Sequence, residues 1–238
     1  MTIAGAEPPT PIGRVIADLD RVRHQLSASD GIAVFIDMYR KVTERVAQRV
    51  SNRSFDDPPF VEALDVVFAG FFLAVPRAIA AGRTVPNAWA PLVDRRKARL
   101  FPLQFALAGM NAHINHDLAL ALVKTCSQRG LDPNRGTVHA DFVRINDVLA
   151  ELVRPLRQSF LDQELVRHGA ALSPLADLLT NFSMEKARDA AWSTALTLWA
   201  VRDLPFVPEA SEQALAGTVG LVSKQLLTRF DPLAQLEG

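Results

Sequence analysis

Apolar residues recur at helical intervals along nearly the whole chain. Large aliphatic and aromatic side chains stand three and four positions apart, a spacing that places them on one face of an α-helix. Helices are predicted over residues 10–26, 31–50, 58–75, 87–99, 100–124, 139–154, 156–180, 183–201 and 209–229. No stretch alternates apolar and polar residues with a period of two, and no Asn-Gly or Asp-Gly turn joins two such stretches. The pattern therefore predicts an all-α fold.

Prolines set the expected bounds of the third helix. Asp57 followed by Pro58 is a typical helix start, because the carboxylate caps the first turn and a proline there loses no hydrogen bond. Pro76 lacks the N–H that would continue the backbone ladder, so it is expected to end or kink this helix.

The segment Leu100–Lys124 is apolar almost all the way round, yet its middle carries six polar side chains. These are Gln104, Asn111, His113, Asn115, His116 and Asp117. On a helix with roughly 100° between residues, the three amides fall on one side and the histidines and aspartate on the other. Burying such groups without partners would cost about 1–3 kcal/mol each, so neighbouring helices are expected to supply hydrogen bonds. We predict that this segment is the buried central helix of a multi-helix bundle.

The central helix also carries the first candidates for chemistry. His113 and Asp117 are four residues apart, so they share one helical face and can form a hydrogen bond or hold a metal ion together. Asp65 and Asp141 lie within or beside the apolar stripes of other predicted helices and are expected to lean inward. We predict His113, Asp117, Asp65 and Asp141 as catalytic residues, and the same four as possible ligands of a divalent metal.

A second set of residues is predicted to bind a substrate. These residues are Asn111, Asn115, Asn146, Arg188 and Tyr39. The amides would hold oxygen atoms of the ligand, and the guanidinium would supply a positive charge. The alternative is purely structural: the His113–Asp117 pair would fix an imidazole tautomer, and Arg188 would form a salt bridge to Asp65, Asp117 or Asp141.

The charges of the chain balance, with 26 Lys and Arg against 26 Asp and Glu. No basic stripe interleaves with aromatic residues, so a nucleic-acid partner is not expected. A net charge of zero permits homo-oligomers, because copies would not repel one another. The apolar windows 60–75 and 100–123 are interrupted by acidic or other polar residues, so neither is expected to span a membrane. With one cysteine, Cys126, and no secretory pattern at its start, the protein is expected to be cytoplasmic.

No Gly/Ser-rich linker or shift in composition divides the chain. Residues 1–238 are therefore predicted to form a single helical domain, with 1–9 as a flexible lead-in. There is no Gly-rich phosphate loop, so no nucleotide cofactor is implied, and the identity of any cofactor is left open.

Several of these residues resemble a known family, the domain of unknown function DUF5995. The strongest part of the resemblance is the string GMNAHIN from Gly109 to Asn115, followed by Asp117-Leu118. Further matching positions are Asp30, Gly31, Phe35, Tyr39, Leu64, Asp65, Phe68, Ala69, Trp89, Asp141, Phe142, Asn146, Arg188, Ala191 and Trp192. The resemblance covers roughly residues 30–200. It implies an α-helical domain and makes a shared site around His113 more credible, but it implies no reaction.

The expected function is that of a small-molecule enzyme with a buried His/Asp/Asn site. Acid–base or metal-assisted hydrolysis, elimination or cyclisation of a carbonyl compound would suit such a site. The alternative is a non-catalytic ligand-binding or scaffold bundle whose polar centre only specifies packing. Gly109 stands one turn before His113, where the absent side chain leaves room either for a ligand or for a neighbouring helix.

Overall fold

A computed structural model describes residues 9–149, 151 and 183–229. Within these ranges every regular element is helical, which confirms the predicted all-α class. The elements are α1 (Pro11–His24), α2 (Gly31–Ser51), α3 (Pro58–Ala80), α4 (Ala90–Arg95), α5 (Pro102–Ala112), a π turn (His113–Asp117), α6 (Leu118–Arg129), α7 (138–149), α8 (Met184–Val201) and α9 (Val207–Leu226).

Side chains that accept backbone hydrogen bonds define several helix starts. Asp30 accepts from the N–H of Ile32 at the start of α2, and Asp57 accepts from the N–H of Phe60 at the start of α3. Ser183 does the same for α8. Each acceptor satisfies an N–H that has no partner within its own helix, which is why these residue types favour such positions.

The segment formed by α5, the π turn and α6 is the centre of the described structure, as the sequence predicted. Helices α2, α3, α8 and α9 all pack against it. The π turn was not predicted: the N–H of Leu118 bonds to the carbonyl of His113, five residues earlier. Such one-turn insertions are rare and occur frequently at functional sites.

Two hydrophobic clusters meet along this central segment. One contains Phe35, Phe72, Trp89 and Leu107. The other contains Phe60 of α3 together with apolar side chains of α6, α7 and α8. Phe68 and Met110 pack against both clusters. The junction between the clusters is therefore the place where side chains from five or more elements face one another.

Gly109 allows α2 to approach the central helix closely. A Cβ atom at this position would lie 2.3 Å from Cδ2 of Phe35, a side chain that is itself only 1% exposed. The expectation that Gly109 leaves space for a ligand is therefore wrong, and close helix packing is the reason for the glycine. Gly31 plays the same part against Phe105, whose ring would be 2.5 Å from an added Cβ.

Some predicted boundaries are wrong or lie outside the described residues. Pro76 does not end α3, which continues to Ala80. The short helix predicted for 87–99 is confined to Ala90–Arg95, with Trp89 at its N-cap. The predicted helix 156–180 and the end of the helix predicted for 139–154 lie outside the described residues, as does nearly all of the 1–9 lead-in.

Helix α3 is long and apolar enough to cross a membrane, with a mean hydropathy of 1.8 over its most apolar window. It is the one helix of this kind among the described residues. Of that window, 39% is buried by other parts of the protein, and core helices of soluble proteins pass the same test. The observation is weak evidence for a membrane span.

We predict that Gly109→Ala destabilises the protein by about 1–3 kcal/mol, because the new methyl group overpacks the fully buried Phe35 ring. Gly70→Ala and Gly217→Ala are matched controls, since both glycines are helical and an added Cβ meets no atom within 4 Å. These two substitutions should stabilise by about 0.5–1 kcal/mol through helix propensity. Urea denaturation of the three variants measures the difference. Equal effects at all three positions would contradict the packing role of Gly109.

Candidate functional site

A cavity of about 90 Å³ lies at the junction of the two hydrophobic clusters. Its lining residues are Phe35, Met38, Tyr39, Val42, Val46, Val61, Leu64, Asp65, Phe68, Leu103, Ala106, Met110, His113, Ile114, Leu118, Ile145, Leu149, Met184 and Arg188. Among these residues only Tyr39, Asp65, His113 and Arg188 carry strongly polar groups. Engineered apolar cavities of roughly 150 Å³ take up benzene, so this smaller cavity suits a molecule of a few non-hydrogen atoms.

The carboxylate of Asp117 is the acceptor for three ring N–H groups. His113 Nδ1 lies 2.9 Å and Trp89 Nε1 3.0 Å from Oδ2, and His116 Nδ1 lies 2.7 Å from Oδ1. All four residues are at most 2% exposed. The predicted His113–Asp117 hydrogen bond is thus present, and it belongs to a larger buried cluster.

These bonds fix the tautomer of both histidines. A carboxylate can only accept, so Nδ1 of His113 and of His116 each carries the proton that it donates to Asp117. In a neutral ring Nε2 is then a proton acceptor. Both Nε2 atoms are buried and lack a hydrogen-bond partner among the described residues. Of the two histidines, His113 lines the cavity and His116 does not.

The surroundings of His113 keep its ring neutral. Phe68 stacks on it with 3.6 Å between ring centroids, and Phe35 and Tyr39 meet it edge-on at 5.6 Å and 4.5 Å. Burial among these rings lowers the pKa of His113, and the hydrogen bond and charge of Asp117 offset this only in part. His113 is therefore a neutral base with a fixed orientation.

Asp65 and Tyr39 present proton donors to the same cavity. Burial, with a smaller contribution from the charge of Glu62, raises the pKa of Asp65 to about 7. Burial also raises the pKa of Tyr39 well above its usual value, with the charge of Asp65 as the second cause. Asp65 Oδ2 and the Tyr39 hydroxyl have no hydrogen bond of normal geometry among the described residues, although the Thr43 side chain lies near enough to Tyr39 to oppose part of the rise in its pKa. Two residues of the cavity lining that hold a proton near neutral pH thus contain buried polar atoms without a hydrogen-bond partner of normal geometry among the described residues.

Arg188 lies at another part of the cavity wall, on α8. Its Nε donates to Asn146 Oδ1 at 2.5 Å and its Nη2 to the carbonyl of Phe142 at 2.7 Å. The guanidinium lies over the Phe142 ring, 4.3 Å from the centroid. The salt bridge considered from the sequence, to Asp65, Asp117 or Asp141, is not formed: both described partners of the guanidinium are neutral oxygens. Asn146 therefore bonds to Arg188 and does not line the cavity.

Asp141 does not share the cavity with the other predicted catalytic residues. Its two carboxylate oxygens accept the backbone N–H groups of Asp56 and Asp57, both at 2.7 Å, and Arg144 Nη1 lies 3.1 Å from Oδ1. Asp141 is fully buried and holds the loop before α3 against α7. The structure gives it a structural role, and the expectation of a catalytic role fails because both of its oxygens are used elsewhere.

Asn111 and Asn115 face α9, away from the cavity lining. The Asn111 amide donates to the carbonyl of Val219 and to Ser223 Oγ, and its Oδ1 accepts from Asn115 Nδ2 at 2.9 Å. Gln104 likewise donates to carbonyls of Leu226 and Thr228. The helical spacing had separated these amides from the histidines correctly. Their hydrogen bonds dock α9 and leave Asn111 and Asn115 outside the predicted substrate site.

The metal interpretation finds no support in the described residues. No three side chains of His, Cys, Asp or Glu within them are arranged to hold an ion. Asp117, the expected ligand on the central helix, is surrounded by three N–H donors, and Asp141 by backbone N–H groups and Arg144. The sequence reasoning placed these carboxylates inward correctly but could not show which donors they would meet.

The hydrogen bond from Trp89 to Asp117 was not predicted from the sequence. The expectation was a core residue, and the indole is indeed 0% exposed. A buried indole N–H usually finds an acceptor, so its position in the resemblance was the one available signal. The apolar walls contributed by Phe68, Met110 and Met184 were also not assigned to a site, because their partners come from distant parts of the chain.

These features define an all-helical bundle with a small buried cavity, apolar walls and a few unpaired polar groups. A family model described as "Family of unknown function (DUF5995)" matches residues 12–229. The chain therefore belongs to this family, and the match extends beyond the residues 30–200 that carried the resemblance. No curated protein and no solved structure matches the chain.

Asp65 should make the stability of the protein depend on pH. Its pKa is about 7 when folded and 3.8 when unfolded, so its contribution is fully present below pH 4 and is lost as the pH rises through 7. This difference between the two pKa values lowers the free energy of unfolding by on the order of 4 kcal/mol as the pH rises from 4 to 7. Asp65→Asn should lack this decrease and exceed the parent protein in stability at pH 8. Glu62→Gln should move the midpoint to lower pH. Denaturation at pH 4 and pH 8 tests this, and parallel curves for parent and Asp65→Asn would contradict it.

We expect Asp117→Asn to destabilise the protein by about 3 kcal/mol or more, since an amide has one oxygen to serve three buried N–H donors. Trp89→Phe removes one donor only and should cost less. Asp203→Asn is the control, because that side chain is 82% exposed and should change stability by at most about 0.5 kcal/mol. Thermal melts of the three variants give the ranking. A melt of Asp117→Asn equal to that of Asp203→Asn would show that the cluster contributes nothing.

Proposed function

We propose that this protein is a small-molecule enzyme that performs acid–base chemistry on an apolar carbonyl compound held in the cavity. The observation that carries the proposal is the pairing of a free, oriented imidazole nitrogen with unpaired proton donors in one apolar enclosure. A purely structural polar core would be expected to satisfy these atoms with each other, because buried polar groups without partners are costly.

The residues divide into a base, its support and an acid. His113 Nε2 takes a proton from the carbon next to the carbonyl, and Asp117 stabilises the imidazolium that forms. The protonated carboxyl of Asp65 gives its proton to the carbonyl oxygen, with the Tyr39 hydroxyl as a further hydrogen-bond donor. The product of this step is an enol. Return of the two protons regenerates the starting groups. Elimination and cyclisation begin with the same proton abstraction, and in hydrolysis the base would act on water.

The two pKa shifts favour a neutral His113, which can accept a proton, and a protonated Asp65, which can donate one. The pKa of His113 is lowered below 6.5, so the ring is neutral above that pH. The pKa of Asp65 is about 7, so its carboxyl keeps the proton up to that pH. Environments that separate the proton affinities of neighbouring groups in this way assign the acid and the base.

We predict that the protein catalyses hydrogen–deuterium exchange of the protons next to the carbonyl of 2-butanone in D2O, measured by proton NMR. The rate should rise as His113 loses its proton and fall as Asp65 ionises near pH 7, giving a bell-shaped profile. His113→Gln should reduce the rate by about 10²–10⁴-fold, which is the usual contribution of one acid–base group. Asp65→Asn should lower the rate and remove the alkaline limb.

His24→Gln is the matched control, because His24 is exposed on α1 and, among the described residues, its ring bonds to the carbonyl of Asp20 alone. It should leave the rate unchanged. A rate that follows total histidine content, or a rate equal to buffer alone, would contradict the proposal. Butanone that binds without exchanging would favour the alternative of a non-catalytic ligand-binding bundle, which the apolar walls also suit.

A further inference from the structure

Arg188 is a buried cation at the wall of the cavity. The residue is 4% exposed, and its two described hydrogen-bond partners are neutral oxygens of Asn146 and Phe142. No carboxylate in the described ranges forms an ion pair with it. Asp65 lines the same cavity but does not contact the guanidinium at salt-bridge distance.

Burial lowers the pKa of Arg188 to about 9, so the side chain remains cationic at neutral pH. A buried charge is strongly destabilising unless an opposite charge or several hydrogen bonds compensate it. Asn146, Phe142 and the face of the Phe142 ring compensate part of the charge. The charge of the neighbouring Asp189 also favours the cation, but no carboxylate among the described residues forms a salt bridge with the guanidinium.

The geometry of the guanidinium suits a carboxylate. Arginine carries five N–H donors in a planar fork that matches two carboxylate oxygens. Asn146 and Phe142 occupy Nε and one position on Nη2, so Nη1 has no partner among the described residues. The lining that Arg188 shares is otherwise mostly apolar, and it includes Ile145 and Leu149 of α7 and Met184 of α8.

We propose that the ligand of this cavity is a short apolar carboxylate whose carboxylate group binds Arg188. Its hydrocarbon part lies against the aliphatic walls. This rests on the proposed function in one respect, since it assigns the ligand to the same cavity. The substrate of the acid–base chemistry is then an apolar oxo-carboxylate, with its carboxylate at Arg188 and its carbonyl at His113 and Asp65.

The test compares butanoate with butanamide, two molecules of nearly equal size that differ in charge. Titration of the full-length protein, followed by isothermal calorimetry and ligand-observed NMR, should show butanoate binding at least 10-fold more tightly. Arg188→Gln should remove this preference, because the carboxylate loses its charged donors. Arg188→Lys should keep part of it, since an ammonium retains the charge without the fork.

Arg202→Gln is the matched control. Arg202 lies at the end of the same helix and stacks on Trp199 at 4.0 Å, but it does not line the cavity. It should leave the preference unchanged. If Arg188→Gln fails to fold, Arg188→Lys and the butanoate–butanamide comparison on the parent protein still test the proposal. Equal affinity for the two molecules, or an unchanged preference in Arg188→Lys and Arg188→Gln, overturns the proposal.

The outcomes separate this inference from the proposed function. His113→Gln should lose exchange of 2-butanone while keeping its preference for butanoate. Arg188→Gln should lose the preference while still exchanging the neutral ketone. A parent protein that exchanges 2-butanone without preferring butanoate contradicts only this inference, and one that prefers butanoate without exchanging 2-butanone contradicts only the proposed function.

Discussion

The central constraint of this structure is the carboxylate of Asp117, which accepts ring N–H groups from His113, His116 and Trp89. A buried carboxylate is tolerated only when donors replace the water that it has lost. Here the donors come from the π turn itself and from the N-cap of α4. The requirement therefore joins α4 to the central helix and orients both imidazoles. The orientation of His113 in the candidate site follows from its hydrogen bond to this carboxylate.

Close packing holds the same region from the other side. Gly109 of the central helix lacks a side chain where it meets Phe35 of α2, and Gly31 of α2 lacks one where it meets Phe105 of the central helix. Helix α2 therefore lies near enough for Phe35 and Tyr39 to contact the His113 ring. The amides on the opposite side of the helix bond to α9. The central helix thus has one side that docks a neighbouring helix through satisfied amides and one side that keeps polar atoms unpaired.

The unpaired groups are the reason to regard the cavity as a functional site. Within the described ranges, most buried polar groups, including Asp30, Asp141, Gln104 and Asn111, find partners. Five described side chains leave buried polar atoms without a partner; Tyr39, Asp65 and His113 line the cavity, whereas His116 and Thr125 do not. Arg188 adds a cation without a described anion. This concentration of unused donors and acceptors suits a ligand better than it suits packing alone.

The sequence by itself determined the helical class, the buried central helix and the His113–Asp117 pair, because each depends on local spacing. Residues four apart meet on a helix wherever it is placed, and an all-round apolar segment must be enclosed. The sequence could not determine which inward carboxylate would meet which donor. Asp65 and Asp141 have similar surroundings in the sequence, yet one faces an apolar cavity and the other accepts two backbone N–H groups. The tertiary structure decided this, because the partners come from helices far away in the chain. The π turn, the role of Trp89 and the contact of Gly109 with Phe35 were decided in the same way.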